Sequence, residues 1–180
     1  QAVFQTTGIT ASASALGSLS ITSAGAWTYT VANADVQYLA AGETKVETFT
    51  VLSADGTSHD IVITITGTND VPVITGDATG AVTEDATTPN LTDTGTLSIV
   101  DADGGQAVFQ TTGITASAGA LGSLSITSAG VWTYTVANTS EEHRAGNETQ
   151  RQTITRWTPD HKKKNNVITI TGTNDVPVIA

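Results

Sequence analysis

Cysteine and methionine are both absent from this 180-residue chain. Without cysteine there is neither a disulfide framework nor a thiolate metal site. Basic residues are scarce, 7 Lys and Arg against 17 Asp and Glu, and the formal charge is −10. That sign argues against nucleic acid or an anionic membrane as partner. No apolar run reaches the roughly 18 residues of a membrane span, and no signal peptide is recognisable. There are three histidines, His59, His143 and His161. No G-x-S-x-G elbow appears, and no glycine-rich loop sits between a strand and a helix. The chain is therefore read as non-catalytic.

What remains is rich in Gly, Ser, Thr, Ala, Val and Ile, a mixture that favours β-structure. One stretch occurs twice. Val62 to Ile74 and Val167 to Ile179 are identical over 13 positions. Each copy runs from a β-rich segment through Gly-Thr-Asn-Asp into Val-Pro, which forbids helix and forces an extended exit. It reads as a joint between β-domains. Gln1 to Asn33 also matches Gln106 to Asn138 at an offset of 105, differing only at Ser14/Gly119 and Ala26/Val131. A period of that length is a domain, not a solenoid unit. Residues 1–75 read as a truncated first repeat and residues 76–180 as a second. Because Gln1 falls in mid-pattern, the chain is expected to be a piece of a longer repetitive protein.

Strands follow from period-two alternation. Leu19 and Ile21 mark one, and Trp27, Tyr29 and Val31 the next, with Ser23-Ala24-Gly25 as the turn between them. Phe49 and Val51 mark a third, and Ile61, Ile63 and Ile65 a fourth. Residues 76–105 add strands near 81–83 and 96–100, and could pair with either body. No helix is expected. Seven or eight short strands per unit make an all-β fold, a tandem array of Ig-like or cadherin-like β-sandwich repeats. Trp27 and Trp132, alternating with Tyr29 and Tyr134, read as core rather than as sugar-stacking platforms.

Residues 139–166 break the pattern without changing its length. Val36, Tyr38, Leu39, Val46, Val51 and Ile61 become Glu141, His143, Arg144, Arg151, Arg156 and Asn166. Six of the seven basic residues lie here. A buried Val is worth about 1.5–3 kcal/mol, so the segment is expected to be a loop, disordered or a rearranged edge. Lys162-Lys163-Lys164 reads as a solvated loop rather than a polyanion site.

Acidic residues cluster near the joints: Asn69 and Asp70, then Glu84 and Asp85, then Asp101 and Asp103. A hard cation such as Ca²⁺ takes six to eight oxygens, and a D-x-D pair at a strand end can aim two carboxylates at one point. The competing reading is that Asp and Asn simply form turns.

The motifs G-T-L-S-I-V-D-A-D-G-G-Q-A-V-F, G-S-L-S-I-T-x-x-G-x-W-T-Y-T-V, A-G-E-T-x-x-E-T-F-T-V-x-S-A-D-G-T and I-T-I-T-G-T-N-D-V-P-V-I resemble the VCBS repeats of giant bacterial RTX-type adhesins. The resemblance covers the chain apart from residues 139–166. It implies an Ig/cadherin-like sandwich, secreted or displayed on the cell surface in tandem arrays. Such arrays act as spacers in cell adhesion and biofilm formation and are often associated with calcium. The joint is also similar to the calcium-binding linker of cadherins, where a D-x-D pair about thirty residues on joins the site, as Asp101 and Asp103 do relative to Asp70. By that analogy Glu84 serves the far joint with Asn174 and Asp175. The implied partners are neighbouring repeats of the same chain and a host or matrix glycan or protein. The alternative function is a carbohydrate- or receptor-binding module.

Overall fold

The computed structural model describes residues 3–84, 89–141 and 144–174. They are all-β apart from single 3-10 turns at Asn33–Asp35 and Asn138–Ser140. In chain order the strands are β1 (Thr10–Ala11), β2 (Ser18–Ile21), β3 (Trp27–Thr30), β4 (Thr44–Leu52), β5 (Ser58–Thr66), β6 (Val73–Gly76) and β7 (Thr79–Thr83). They continue as β8 (Asn90–Val100), β9 (Thr115–Ala116), β10 (Ser123–Ile126), β11 (Val131–Ala137), β12 (Thr149–Trp157) and β13 (Lys163–Thr171). No helix is long and apolar enough to cross a membrane among the described residues. The chain divides into two compact units, Gln1–Asp70 with Ala102–Gly104, and Val71–Asp101 with Gly105–Ala180. The strands of residues 71–101 thus belong to the second unit, which resolves the pairing that the sequence left open.

Unit 2 is a sandwich of two four-stranded sheets, β6-β8-β11-β10 and β7-β13-β12-β9. In immunoglobulin lettering this is ABED against A′GFC, with the first strand switching sheets between β6 and β7. The β7–β13 pair is parallel, and the other pairings of the two sheets are antiparallel. Period-two alternation puts Trp132, Tyr134 and Val136 of β11 inward, facing Ile154, Ile168 and Ile170 from the opposite sheet. Val82, Leu91 and Leu97 complete the core from β7 and β8.

Unit 1 contains the matching strands C to G: β1-β4-β5 in one sheet and the hairpin β2-β3 in the other. The hairpin turn is as expected, with Thr22 N–H donating to Ala26 O and Gly25 at φ +91°. Its core is smaller, built from Ile21, Leu39, Phe49 and Val51. Tyr29 meets Phe49 edge to face, with centroids 5.8 Å apart. Trp132 is buried, as the alternation implies, but Trp27 is 48% exposed. The reason is tertiary. Strand β8 packs over Trp132, and no described strand occupies that place over Trp27.

The expectation of a loop, disorder or a rearranged edge over residues 139–166 is overturned for 149–157 and 163–166, which are strands. β12 and β13 form a nine-pair antiparallel ladder, Thr149↔Thr171 to Trp157↔Lys163. It matches the β4–β5 ladder, Thr44↔Thr66 to Leu52↔Ser58. Ladder hydrogen bonds come from the backbone and do not depend on side chain. Several substitutions also fall on compatible positions. Val46 is 55% exposed, so Arg151 in its place meets water. Lys163 lies over the Trp157 ring at 4.8 Å. Others are buried or half-buried and satisfy one another in part: Arg156 donates to Asn166 Oδ1, and Arg144 pairs with Glu141 and Gln150. Two left-handed positions have lost their glycines. Gly42 and Gly56 have φ +77° and +86°, while Asn147 and His161 at the matching places have +66° and +60°.

Candidate metal centre

The joint is built the same way in both units. Strand β5 ends at Thr66 and is followed by Gly67, whose N–H donates to Glu43 O while its carbonyl accepts Gly42 N–H. A Cβ on Gly67 would lie 2.2 Å from Leu39 O, so the backbone can approach its neighbouring loop only at glycine. Gly172 repeats this, donating to Glu148 O and accepting from Asn147 N–H. These contacts fix where the following Thr-Asn-Asp begins.

In unit 2 the parallel β7–β13 pairing carries Glu84 to the joint. Glu84 N–H donates to Thr171 O, extending the ladder by one bond. Its carboxylate then accepts Thr173 N–H at 2.8 Å and the Thr173 hydroxyl at 2.6 Å, both at Oε2. The Glu84 side chain is fully buried, and its Oε1 has no hydrogen-bond partner among the described residues. Asn174 follows Thr173 directly and is exposed. A buried, half-satisfied carboxylate is costly without a further partner, and a hard cation is a partner that accepts such oxygens. On chemistry alone Glu84 Oε1 suits a hard cation as an oxygen donor. Asp85 and Asp175 lie outside the described residues.

In unit 1 the structure brings Asp70 and Asp103 together. Asp103, 2% exposed, accepts Asp70 N–H through Oδ2 at 3.0 Å. Gly104 N–H donates to Tyr38 O, which holds residues 102–104 in this unit. Asn69 turns back, its Nδ2 donating to Asp70 O at 2.7 Å. A polar cleft bounded by Asn33, Gln37, Thr66, Thr68 and Asp70 opens beside them. Asp101 follows β8 in unit 2 and is half-buried. No three acidic or imidazole side chains converge on one point among the described residues.

A buried carboxylate away from the joints is not among the residues the sequence points to. Glu47 is fully buried in unit 1 and accepts three hydrogen bonds, from Leu16 N–H, Gly17 N–H and the Tyr29 hydroxyl. Burial opposes its ionisation, yet these donors hold its pKa below the usual range. Tyr29 is pushed up to about 12, by burial first and then by Glu47. In unit 2 Gln152 replaces Glu47 and accepts from the Tyr134 hydroxyl at 2.8 Å. Its Nε2 is a donor where Glu47 has an acceptor, and it has no partner among the described residues. The available sequence signal was an inward-facing tyrosine, whose hydroxyl requires a partner when buried.

No known family profile matches the chain, and no curated protein matches it. Similar solved structures do exist. Mouse clustered PcdhgC3 EC1-3 is 15% identical, with TM-score 0.47, covering 91% of this chain and 53% of its own. The protocadherin GammaB4 extracellular domain is 14% identical, with TM-score 0.45, covering 95% and 26%. Domains 4 and 5 of the S-layer protein SbsC are 14% identical, with TM-score 0.37, covering 85% and 65%. The chain thus spans about half the length of the mouse protein and a quarter of the GammaB4 one. Identities and scores this low transfer no function.

Proposed function

We propose that this chain is a non-catalytic spacer segment of a bacterial surface or secreted adhesin, of the VCBS-repeat type, stiffened by Ca²⁺ where repeats join. The observation that carries the calcium reading is Glu84: fully buried, anchored by Thr173 beside Asn174, with Oε1 lacking a partner among the described residues. Asn174 and the neighbouring Asp85 and Asp175 are the remaining ligand candidates at that end. Asn69, Asp70, Asp101 and Asp103 are the candidates at the first joint. The ion would neutralise carboxylates that otherwise repel. An ion bound only by the folded chain stabilises it by RT ln(1 + [L]/Kd), about 2.7 kcal/mol at a hundredfold excess over Kd.

The test is a thermal melt in EDTA, then in millimolar Ca²⁺, with Mg²⁺ as control. A Ca²⁺-specific rise in Tm is expected, and Glu84→Gln should remove most of it. Cooperative melts that coincide in all three buffers would leave the acidic residues as turn formers. Calorimetry on Asp101→Asn with Asp103→Asn tests the first joint, where weaker Ca²⁺ binding is expected. A second reading, a glycan- or receptor-binding module, is favoured by the exposure of Trp27. A glycan array comparing the native chain with Trp27→Ala decides it.

A further inference from the structure

The turns that lead into β4 and β12 have the same backbone. Each begins with a 3-10 turn, Asn33–Asp35 in unit 1 and Asn138–Ser140 in unit 2. Val36 N–H donates to Asn33 O and Leu39 N–H to Val36 O, while Glu141 N–H donates to Asn138 O and Arg144 N–H to Glu141 O. Glu141 therefore stands where unit 1 has Val36. In unit 1 Val36 borders the cleft that Thr66 and Thr68 also line. Their counterparts in unit 2 are Thr171 and Thr173, and these two residues hold Glu84. Two further contacts tie the second turn to the same place. Asn138 N–H donates to Pro89 O, on the chain that follows Glu84. A Cβ on Gly172 would lie 2.6 Å from Arg144 Cβ.

We propose that Glu141 and Glu84 together form one divalent-cation site within unit 2. This rests on the calcium reading above and adds to it a ligand from the segment that breaks the repeat. Both side chains are fully buried. Each is anchored through one oxygen and leaves the other open. Thr173 N–H and its hydroxyl donate to Glu84 Oε2, and Arg144 Nε donates to Glu141 Oε2. Oε1 of each carboxylate has no hydrogen-bond partner among the described residues. A buried carboxylate oxygen without a donor is costly, and two like charges in a dry place add to the cost. Arg144 offsets one charge, and a divalent cation offsets the remainder. Ca²⁺ takes oxygens in flexible geometry, whereas Mg²⁺ demands a near-ideal octahedron and keeps its waters, so the buried pair favours Ca²⁺. Anchoring of both Oε2 atoms lowers the ordering cost of binding. The ion would tie the end of β7 to the turn before β12. Val36 has no oxygen to offer on its side chain, so this ligand is peculiar to unit 2.

The experiment titrates Ca²⁺ into the full chain by calorimetry, with Glu84→Gln and Glu141→Gln as variants. Gln at 141 keeps an oxygen for Arg144. The binding component that Glu84→Gln removes should weaken by about tenfold or more in Glu141→Gln, the scale for a lost partner at a metal site. Amide exchange on the native chain provides a readout that needs no variant. Ca²⁺ should slow exchange over Asn138–Glu141 together with Thr171–Asn174. Fragments over 138–141 are distinguishable from those over 33–36, because only the asparagine is shared. If Glu84→Gln removes a component that Glu141→Gln leaves unchanged, or if slowing is confined to Thr171–Asn174, the proposal fails while the calcium reading stands. Ca²⁺ binding that survives Glu84→Gln intact, or no Ca²⁺ binding by the native chain, overturns both.

Discussion

Replacing Arg156 by valine and Asn166 by isoleucine, the residues found at 51 and 61, is expected to stabilise unit 2. Arg156 is as buried as Val51, each 1% exposed. The guanidinium donates to Asn166 Oδ1 and stands 5.8 Å from the Phe109 ring centroid. Its Nε and Nη1 have no acceptor among the described residues, and neither has Asn166 Nδ2. Each buried polar group left unpaired costs about 1–3 kcal/mol. Against this, the lost contact with Phe109 is worth about 2 kcal/mol at most. Exchanging buried charged groups for apolar ones typically gains about 1–4 kcal/mol, and about 2–3 kcal/mol is expected here. Arg156→Val alone should gain less, because it strands Asn166 Oδ1. A double-mutant cycle should therefore show coupling of about 1–2 kcal/mol. Urea unfolding read by amide exchange in β11 isolates unit 2, which a two-unit chain requires.

Alkaline pH provides a second readout. Burial pushes Arg156 down to about 10, so between that pH and the ordinary arginine range the unfolded chain holds more protons and stability rises with pH. Tyr134, pushed up to about 12 mainly by burial, acts oppositely: its contribution is lost as pH rises from 10. The two effects offset each other in the native chain. In the double variant only the tyrosine remains, so stability should fall faster above pH 10. A double variant less stable than the native chain at pH 7, with zero coupling, would refute the reasoning.

Three further outcomes are expected. His161→Gly should stabilise the β12–β13 turn by about 1 kcal/mol, because a β-carbon at φ +60° is disfavoured; a urea midpoint that falls instead would contradict it. Glu47→Gln should cost unit 1 about 1–3 kcal/mol through the mismatched amide. Because the Glu47 pKa is depressed on folding, its contribution is present above the unfolded value and lost as pH falls through the folded one. The variant's acid unfolding should accordingly lose that component, and identical profiles would exclude it. Gly95→Val within the chain should destabilise unit 2 by about 3 kcal/mol or more, since the new side chain meets the Trp132 ring rather than space; far-UV circular dichroism melts would show this, and an unchanged melt would refute that close packing.

The joint glycines, the Ser23–Gly25 turn and the period-two strands were legible because each is a local constraint. A left-handed φ, a close backbone approach or a face of alternating Ile and Val leaves its mark within a few residues. The fold class follows from these alone. The strands within residues 149–166 are not legible from side-chain polarity, because the backbone ladder that holds them leaves no mark in it. A ladder that includes Val167 to Thr171 holds its register through main-chain bonds, and Arg156 and Asn166 meet only because adjacent strands pair diagonally. Glu84 was singled out by analogy, but its buried state and its bond to Thr173, 89 residues away, come from the parallel β7–β13 pairing. The same holds for the tryptophans. Trp27 and Trp132 sit in nearly identical sequence, and no local rule separates them. Whether each ring meets water or Gly95 depends on which unit receives residues 71–101. That is a tertiary decision, because burial is a property of what lies opposite a residue, not of the residues beside it.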